Sequence, residues 1–184
     1  MKRDQRIVQS ERAIIEAGIS TFVSNPSAGM SDIALASGVG RTTLYRHYDS
    51  REALIRGIAL HCFDEIDQVL RPLYDKTGRE LIEATFRLLI PIADRYRFLN
   101  GLWQEAGDNA LVAQKLSEWN RDTLWLMDNA KATNEIDADI PSVWLSNFFD
   151  MILYTSWSLL ESEELNQEDA IHLAIRSFFK GCGK

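Results

Sequence analysis

The chain has 184 residues, 46% of them apolar and 26% charged, with a formal net charge of −7. That length suits one medium domain, or a small domain joined to a larger one, and the apolar share is enough for a substantial core. No apolar stretch of signal-peptide length opens the chain, the longest apolar run (Leu88 to Ala93) falls far short of a membrane span, and Cys62 and Cys182 form no CxxC pair; these features predict a reduced, cytoplasmic protein with no membrane partner and no disulfide framework.

In chain order, helical periodicity dominates and no segment alternates like a strand. A first helix is predicted over about Asp4 to Val23, striped by Ile7, Ala13, Ile14, Ala17 and Phe22, and Ser24-Asn25-Pro26-Ser27 breaks it. A short helix over about Met30 to Ser37 ends at Gly38, and a second short helix covers Arg41 to Tyr48. Asp49-Ser50 reads as the N-cap of a long helix beginning at Arg51. A helix over about Arg79 to Phe98 carries Ile82, Phe86, Leu89, Ala93 and Tyr96 on one face and should bend at Pro91. A short piece near Leu102 to Ala106 leads into a helix from Ala110 to Ala130, lined by Val112, Leu116, Trp119, Thr123 and Leu126. Pro141 suits a first helical position, opening a helix to about Glu163, and a last one runs from about Gln167 to Lys180.

The helix after Pro141 is apolar nearly all round, with Asp150 the only charge between residues 143 and 160. Such a helix must be covered on several sides, and a chain this short can hardly do so alone. With the last helix it predicts a homodimer packed as a four-helix bundle.

Residues 30–54, MSDIALASGVGRTTLYRHYDSREAL, carry the functional signal. Gly38 permits a turn with positive φ. Leu44 and Tyr48, at i and i+4, would turn one face of the second short helix inward. Arg41, Thr42 and Tyr45 then gather on the opposite face, toward the helix N-terminus, as a recognition helix requires. The charge distribution agrees: residues 1–56 carry eight Lys/Arg and six Asp/Glu, a net of +2, whereas residues 57–184 carry twelve and twenty-one, a net of −9.

The stretch resembles the TetR-family helix-turn-helix, which commonly reads close to IAxxAGVSxxTLYxHFxxKExL. Ile33-Ala34, Gly38-Val39, Thr43-Leu44-Tyr45, His47 and Glu52-Ala53-Leu54 match it, while Ser37, Gly40, Tyr48 and Arg51 stand where Ala, Ser, Phe and Lys are usual, and Gly29 where Thr often opens the first short helix. The resemblance covers about residues 5–60 by motif. It implies an all-α fold: a three-helix helix-turn-helix DNA-binding domain (1–50) followed by a helical ligand-binding and dimerisation domain (51–184). It further implies a regulator, most simply a repressor, that binds a palindromic double-stranded operator as a homodimer through its last two helices and is released by a small-molecule effector, with no cofactor.

Arg41 is the expected base reader, since a guanidinium pairs bidentately with guanine O6 and N7. Thr42 is expected to touch a thymine methyl or the backbone, and Thr43, Tyr45 and His47 the phosphate or sugar. Ser31 and Arg51 would hold further phosphates. For the effector pocket the expected lining is Phe86, Tyr96, Trp103, Trp119, Trp144 and Phe148. No nucleophile elbow, Gly-rich phosphate loop or HExxH motif supports an enzyme. The alternatives are a metal-responsive regulator using His61, Cys62 and Asp64 or Glu65, or a helical adaptor that binds protein.

Overall fold

A computed structural model describes the backbone of residues 2–106 and 109–182 and the side chains of residues 6–101 and 109–181. Among the described residues the helices are α1 (Lys2–Ser24), α2 (Met30–Ser37), α3 (Arg41–His47), α4 (Arg51–Leu70), α5 (Gly78–Leu89), α6 (Ala93–Ala106), α7 (Ala110–Ala132), α8 (Ser142–Glu161) and α9 (Gln167–Cys182). The fold is all-α, and no described helix is long and apolar enough to cross a membrane.

The local signals explain most of the boundaries. Gly38 closes α2 with φ +66°, a left-handed conformation that glycine adopts without steric cost. The Gly29 N–H donates to the Asp32 carboxylate at 2.8 Å, fixing the start of α2. At the head of α4 the Ser50 hydroxyl accepts the Ala53 N–H at 3.1 Å. Ser50→Ala should cost about 1 kcal/mol of stability, the usual worth of an N-cap, measurable as a shifted denaturant midpoint at unchanged slope. Pro91 does more than bend the predicted Arg79–Phe98 helix. It lies in a 3₁₀ turn, Ile90–Ile92, that separates α5 from α6, and α6 then runs through the short piece expected near Leu102.

The chain forms two compact units. The first comprises residues 1–64 and 94–115, hence α1 to α3, most of α4, α6 from Asp94 and the start of α7. Its core holds Ile14, Ile19, Phe22, Ile33, Leu44, Leu54, Ile55, Ile58 and Phe98, each at most 1% exposed. Ile7, expected on the buried stripe of α1, is 39% exposed; among the described residues burial along α1 starts at Ile14. Gly18 lets α4 approach α1, since a Cβ there would collide with the Ile58 side chain. Arg95 of α6 makes a two-pronged ion pair with Glu16 of α1, both carboxylate oxygens at 2.8 Å, and Phe98 packs beside Phe22 with ring centres 6.3 Å apart.

The second unit comprises residues 65–93 and 116–184. An aromatic cluster lies at its centre. Phe86 of α5 stacks on Phe149 of α8 at 4.4 Å, and Phe178 of α9 meets both, edge-on, at 5.8 and 6.2 Å. Gly78 opens α5 with φ +56° in a spot where any Cβ would press on Thr133 and Glu135. Glu135 in turn accepts the Arg79 N–H at 2.7 Å, tying the head of α5 to the loop after α7.

These units do not divide the chain at the expected 50/51 boundary. The first four turns of α4 bury Leu54, Ile55, Ile58 and Cys62 in the first unit, and the division in α4 falls at 64/65 instead. α6 likewise belongs with the N-terminal helices, although it is remote from them in sequence.

Candidate nucleic-acid interface and ligand cavity

Two features of the structure can carry function, one in each unit. The first is the surface of α3. Leu44, fully buried, anchors the helix, and the Thr43 and Leu44 N–H groups bond the Gly40 carbonyl at 2.8 and 3.0 Å, so its first turn is well formed. Tyr48, at its C-cap, is half-buried with its ring against Gly57 of α4, and burial, reinforced by the Glu11 carboxylate, pushes its hydroxyl up to about 12. Tyr48 is therefore a neutral packing residue throughout the physiological range. With one side of α3 held in this way, Arg41, Thr42, Tyr45 and Arg46 are exposed. Ser31, on α2, is exposed as well, and Thr43 is half-buried.

Two expected phosphate contacts are placed differently from these. The His47 ring is half-buried beside Tyr48, ring centres 6.3 Å apart, and its Nε2 is enclosed without a hydrogen-bond partner among the described residues. Arg51 turns inward. Its Nε donates to the Ala28 carbonyl at 2.9 Å, an Nη donates to the Pro26 carbonyl, and the guanidinium lies 5.2 Å from the Phe22 ring centre. In this arrangement Arg51 fastens the loop between α1 and α2, a role its position after the Ser50 cap did not signal.

The second feature is a cavity of about 340 Å³ in the second unit, within the ordinary range of small-molecule sites. Leu81, Thr85 and Leu89 of α5 form one wall and Trp119, Asp122, Thr123, Trp125 and Leu126 of α7 another. Asp67 and Leu70 at the end of α4, Leu73 and Tyr74 beyond it, and Phe149 of α8 complete the enclosure. Tyr74 and Trp125 are 62% and 47% exposed, so they stand at its rim.

Of the five residues expected to line a pocket whose side chains are described, only Trp119 lines this cavity. Phe86 is wholly buried in the aromatic cluster, and Phe148 packs on Phe178 at 5.9 Å. Tyr96 is buried in the first unit, and Trp144 is 66% exposed on α8. The Trp103 side chain lies outside the described residues. Of the cavity's residues, Trp119, Thr123 and Leu126 were legible as a stripe at helical spacing. Asp122 sits on that same face at i+3 from Trp119, a carboxylate beside an apolar stripe that helical spacing alone could have flagged.

The metal alternative finds no cluster. Cys62 is fully buried, Asp64 is exposed and pairs with Lys115 at 3.3 Å, and among the described residues no three His, Cys, Asp or Glu side chains gather to hold an ion.

Two short helices joined through a left-handed glycine, the second exposed and anchored by one buried leucine, form a helix-turn-helix of the DNA-binding kind. Residues 14–58 match the family described as bacterial regulatory proteins, tetR family. The HTH-type transcriptional repressor LfrR of Mycolicibacterium smegmatis is 41% identical over 56 residues, 30% of this chain and 30% of that protein. The HTH-type transcriptional regulator YvaF of Bacillus subtilis is 30% identical over 77 residues, 41% of this chain and 40% of that protein. The matched stretch thus spans well under half the length of these curated relatives. Residues 14–58 are thus similar to the N-terminal domain of the tetR family of bacterial regulatory proteins.

The fold likeness extends further than the sequence likeness. The crystal structure of the TetR-like regulator LfrR from Mycobacterium smegmatis in complex with proflavine superposes with a TM-score of 0.76 at 17% identity, over 96% of this chain and 97% of that one. A TetR-family regulator from Marinobacter aquaeolei superposes with a TM-score of 0.74 at 19% identity, over 98% and 99%. The N-terminal helix-turn-helix followed by a helical C-terminal domain is therefore the TetR-like fold.

Proposed function

We propose that this protein is a cytoplasmic transcriptional repressor that binds a palindromic operator as a homodimer and leaves it when a small molecule enters the cavity of the second unit. The observation that carries the reading is the outward face of α3, where Arg41, Thr42 and Tyr45 are exposed together over the buried Leu44. Arg41 reads a guanine edge, Thr42 and Tyr45 contact methyl or phosphate, and Ser31 and Thr43 add backbone contacts. His47 contributes to phosphate binding through whatever edge its half-buried ring leaves exposed. Arg51 supports the surface by fastening the loop before α2. Anisotropy of labelled duplex DNA tests this, with affinity expected to fall steeply as salt rises; salt-independent binding, or none, contradicts it.

The dimer reading is supported by α8. Leu145, Phe149, Leu153 and Ser156 are buried against the unit's own core, while Val143, Trp144, Met151 and Tyr154 stay 60%, 66%, 58% and 41% exposed. Large apolar side chains repeated along one helix are costly to leave in water and mark an association surface. The outward face of α9 carries Asp169, His172 and Arg176 instead, so α8 supplies the apolar part of the contact. Trp144→Glu combined with Met151→Glu should yield a folded monomer by sedimentation with operator binding lost; an unchanged dimer would remove α8 from the interface.

Release is a linkage effect. A ligand that favours a half-site spacing other than about 34 Å lowers operator affinity by the factor by which operator lowers ligand affinity. That LfrR has been solved with proflavine supports a small organic effector for a domain of this fold.

A further inference from the structure

Gly57 lies in the interior of α4, where glycine is the least favourable residue after proline. Its backbone does not require it: among the described residues the glycines with positive φ are Gly38 and Gly78. Its surroundings do. A Cβ on Gly57 would collide with Cε1 of Tyr48 and lie 3.1 and 3.2 Å from the Cζ and hydroxyl oxygen of that ring. The phenol edge therefore rests on the bare backbone of α4.

Tyr48 is tied to α3 through its main chain. It is the C-cap, its N–H donates to the Leu44 carbonyl at 2.9 Å, and its extended backbone (φ −139°, ψ 113°) carries the chain out of the helix. Only residues 48–50 separate α3 from α4. α3 is seven residues long and its one buried side chain is Leu44. A single anchor holds a short helix down but leaves it free to rock. A second contact one turn further on removes that freedom, and Tyr48 on Gly57 is such a contact. The ring is half-buried and flanked by the His47 ring, 6.3 Å away centre to centre, so a Cβ on Gly57 would press on α3 through it.

We propose that Gly57 is a positioning residue for operator recognition: its missing side chain seats the Tyr48 ring, and that seat sets the angle at which α4 presents α3 to DNA. The proposal rests on reading α3 as the operator-binding helix, and adds the joint that aims it. Base-edge contacts depend on that aim, because a hydrogen bond weakens steeply with misalignment. Charge attraction to phosphate does not, because it acts over about 10 Å.

That difference supplies the test. The probes are the inverted repeat recovered from a randomised pool and a scrambled duplex of the same length and composition, each titrated with the full chain. The scrambled duplex reads charge, and the ratio of the two affinities reads the placement of α3. Gly57→Ala should lower that ratio about tenfold, the scale of one well-aligned base contact, with the scrambled duplex bound as before and helical content by circular dichroism unchanged. In a Tyr48→Leu background the shorter side chain leaves the seat empty, and Gly57→Ala should then change the ratio by less than about twofold. Both duplexes are titrated on one preparation, so partial unfolding scales the two affinities alike and cancels. Should Gly57→Ala fail to fold, Tyr48→Leu alone decides, since it unseats the joint from the other side and should also lower the ratio severalfold. An unchanged ratio in the variant that decides, or an equal loss from Gly57→Ala with and without the Tyr48 ring, would overturn the positioning role while leaving α3 as the DNA-binding helix. A wild-type chain that discriminates between no duplexes would overturn both.

Discussion

Arg41→Ala is expected to weaken operator binding by roughly 5- to 150-fold per half-site, the equivalent of about 1–3 kcal/mol for one bidentate guanidinium–guanine pair. A dimer reading two independent half-sites would lose the square of that factor. The fold should not notice, because Arg41 is exposed and α3 packs through Leu44, with Tyr48 at its C-cap, on the other side. Arg41→Lys should fall in between: it keeps the charge, and hence the salt dependence, but not the planar fork. Mobility-shift titrations at one fixed ionic strength, paired with thermal melts, check both halves of the expectation. A loss of affinity accompanied by a lower melting point would mean that Arg41 supports the scaffold and does not read bases.

The largest effect on stability is expected from Phe178→Ala, about 3–5 kcal/mol. Phe178 is fully buried where α9 meets α5 and α8, and four rings surround it: Phe86 at 5.8 Å, Phe148 at 5.9 Å, Phe149 at 6.2 Å and Phe179 at 5.4 Å. Removing the ring leaves a cavity that a cluster of stiff aromatic side chains cannot collapse to fill. Against a typical total of about 5–15 kcal/mol, that loss takes a large share of the stability. The denaturant midpoint should fall accordingly, and Phe178→Leu should recover much of it. An alanine variant that melts within a degree or two of wild type would show that the aromatic cluster is not the organising core of this unit.

The parts of this architecture that were legible from sequence are those with local causes. α2 and α3 end where Gly38 and Tyr48 say they should, because a left-handed glycine and a short amphipathic repeat act over a few residues. Ser50 capped α4 as its position implied, and Pro91 marked a discontinuity, although the sequence could not say that the helix would break instead of bending. What escaped depends on partners distant in the chain. Arg51 looked like a cation free for phosphate, and only the approach of the Pro26–Ala28 loop gives it a structural occupation. Aromatic residues were poor guides to the cavity. Phe86, Tyr96, Trp119, Trp144 and Phe148 share size and polarity class, yet one lines the cavity, two are core, one packs half-buried on a neighbour and one faces solvent. That sorting is made by tertiary packing, to which a single helix's periodicity is blind. The grouping of α6 with the N-terminal helices was not legible for the same reason: Arg95 and Phe98 meet Glu16 and Phe22, contacts that span more than seventy residues.

The most direct test is selection of bound duplexes from a randomised pool by the purified full-length protein. The expected result is an inverted repeat whose half-sites are centred about one helical turn apart, roughly 34 Å, each with a guanine whose enrichment disappears in Arg41→Ala. Enrichment of an asymmetric sequence insensitive to Arg41, or no enrichment even at low ionic strength, would contradict it.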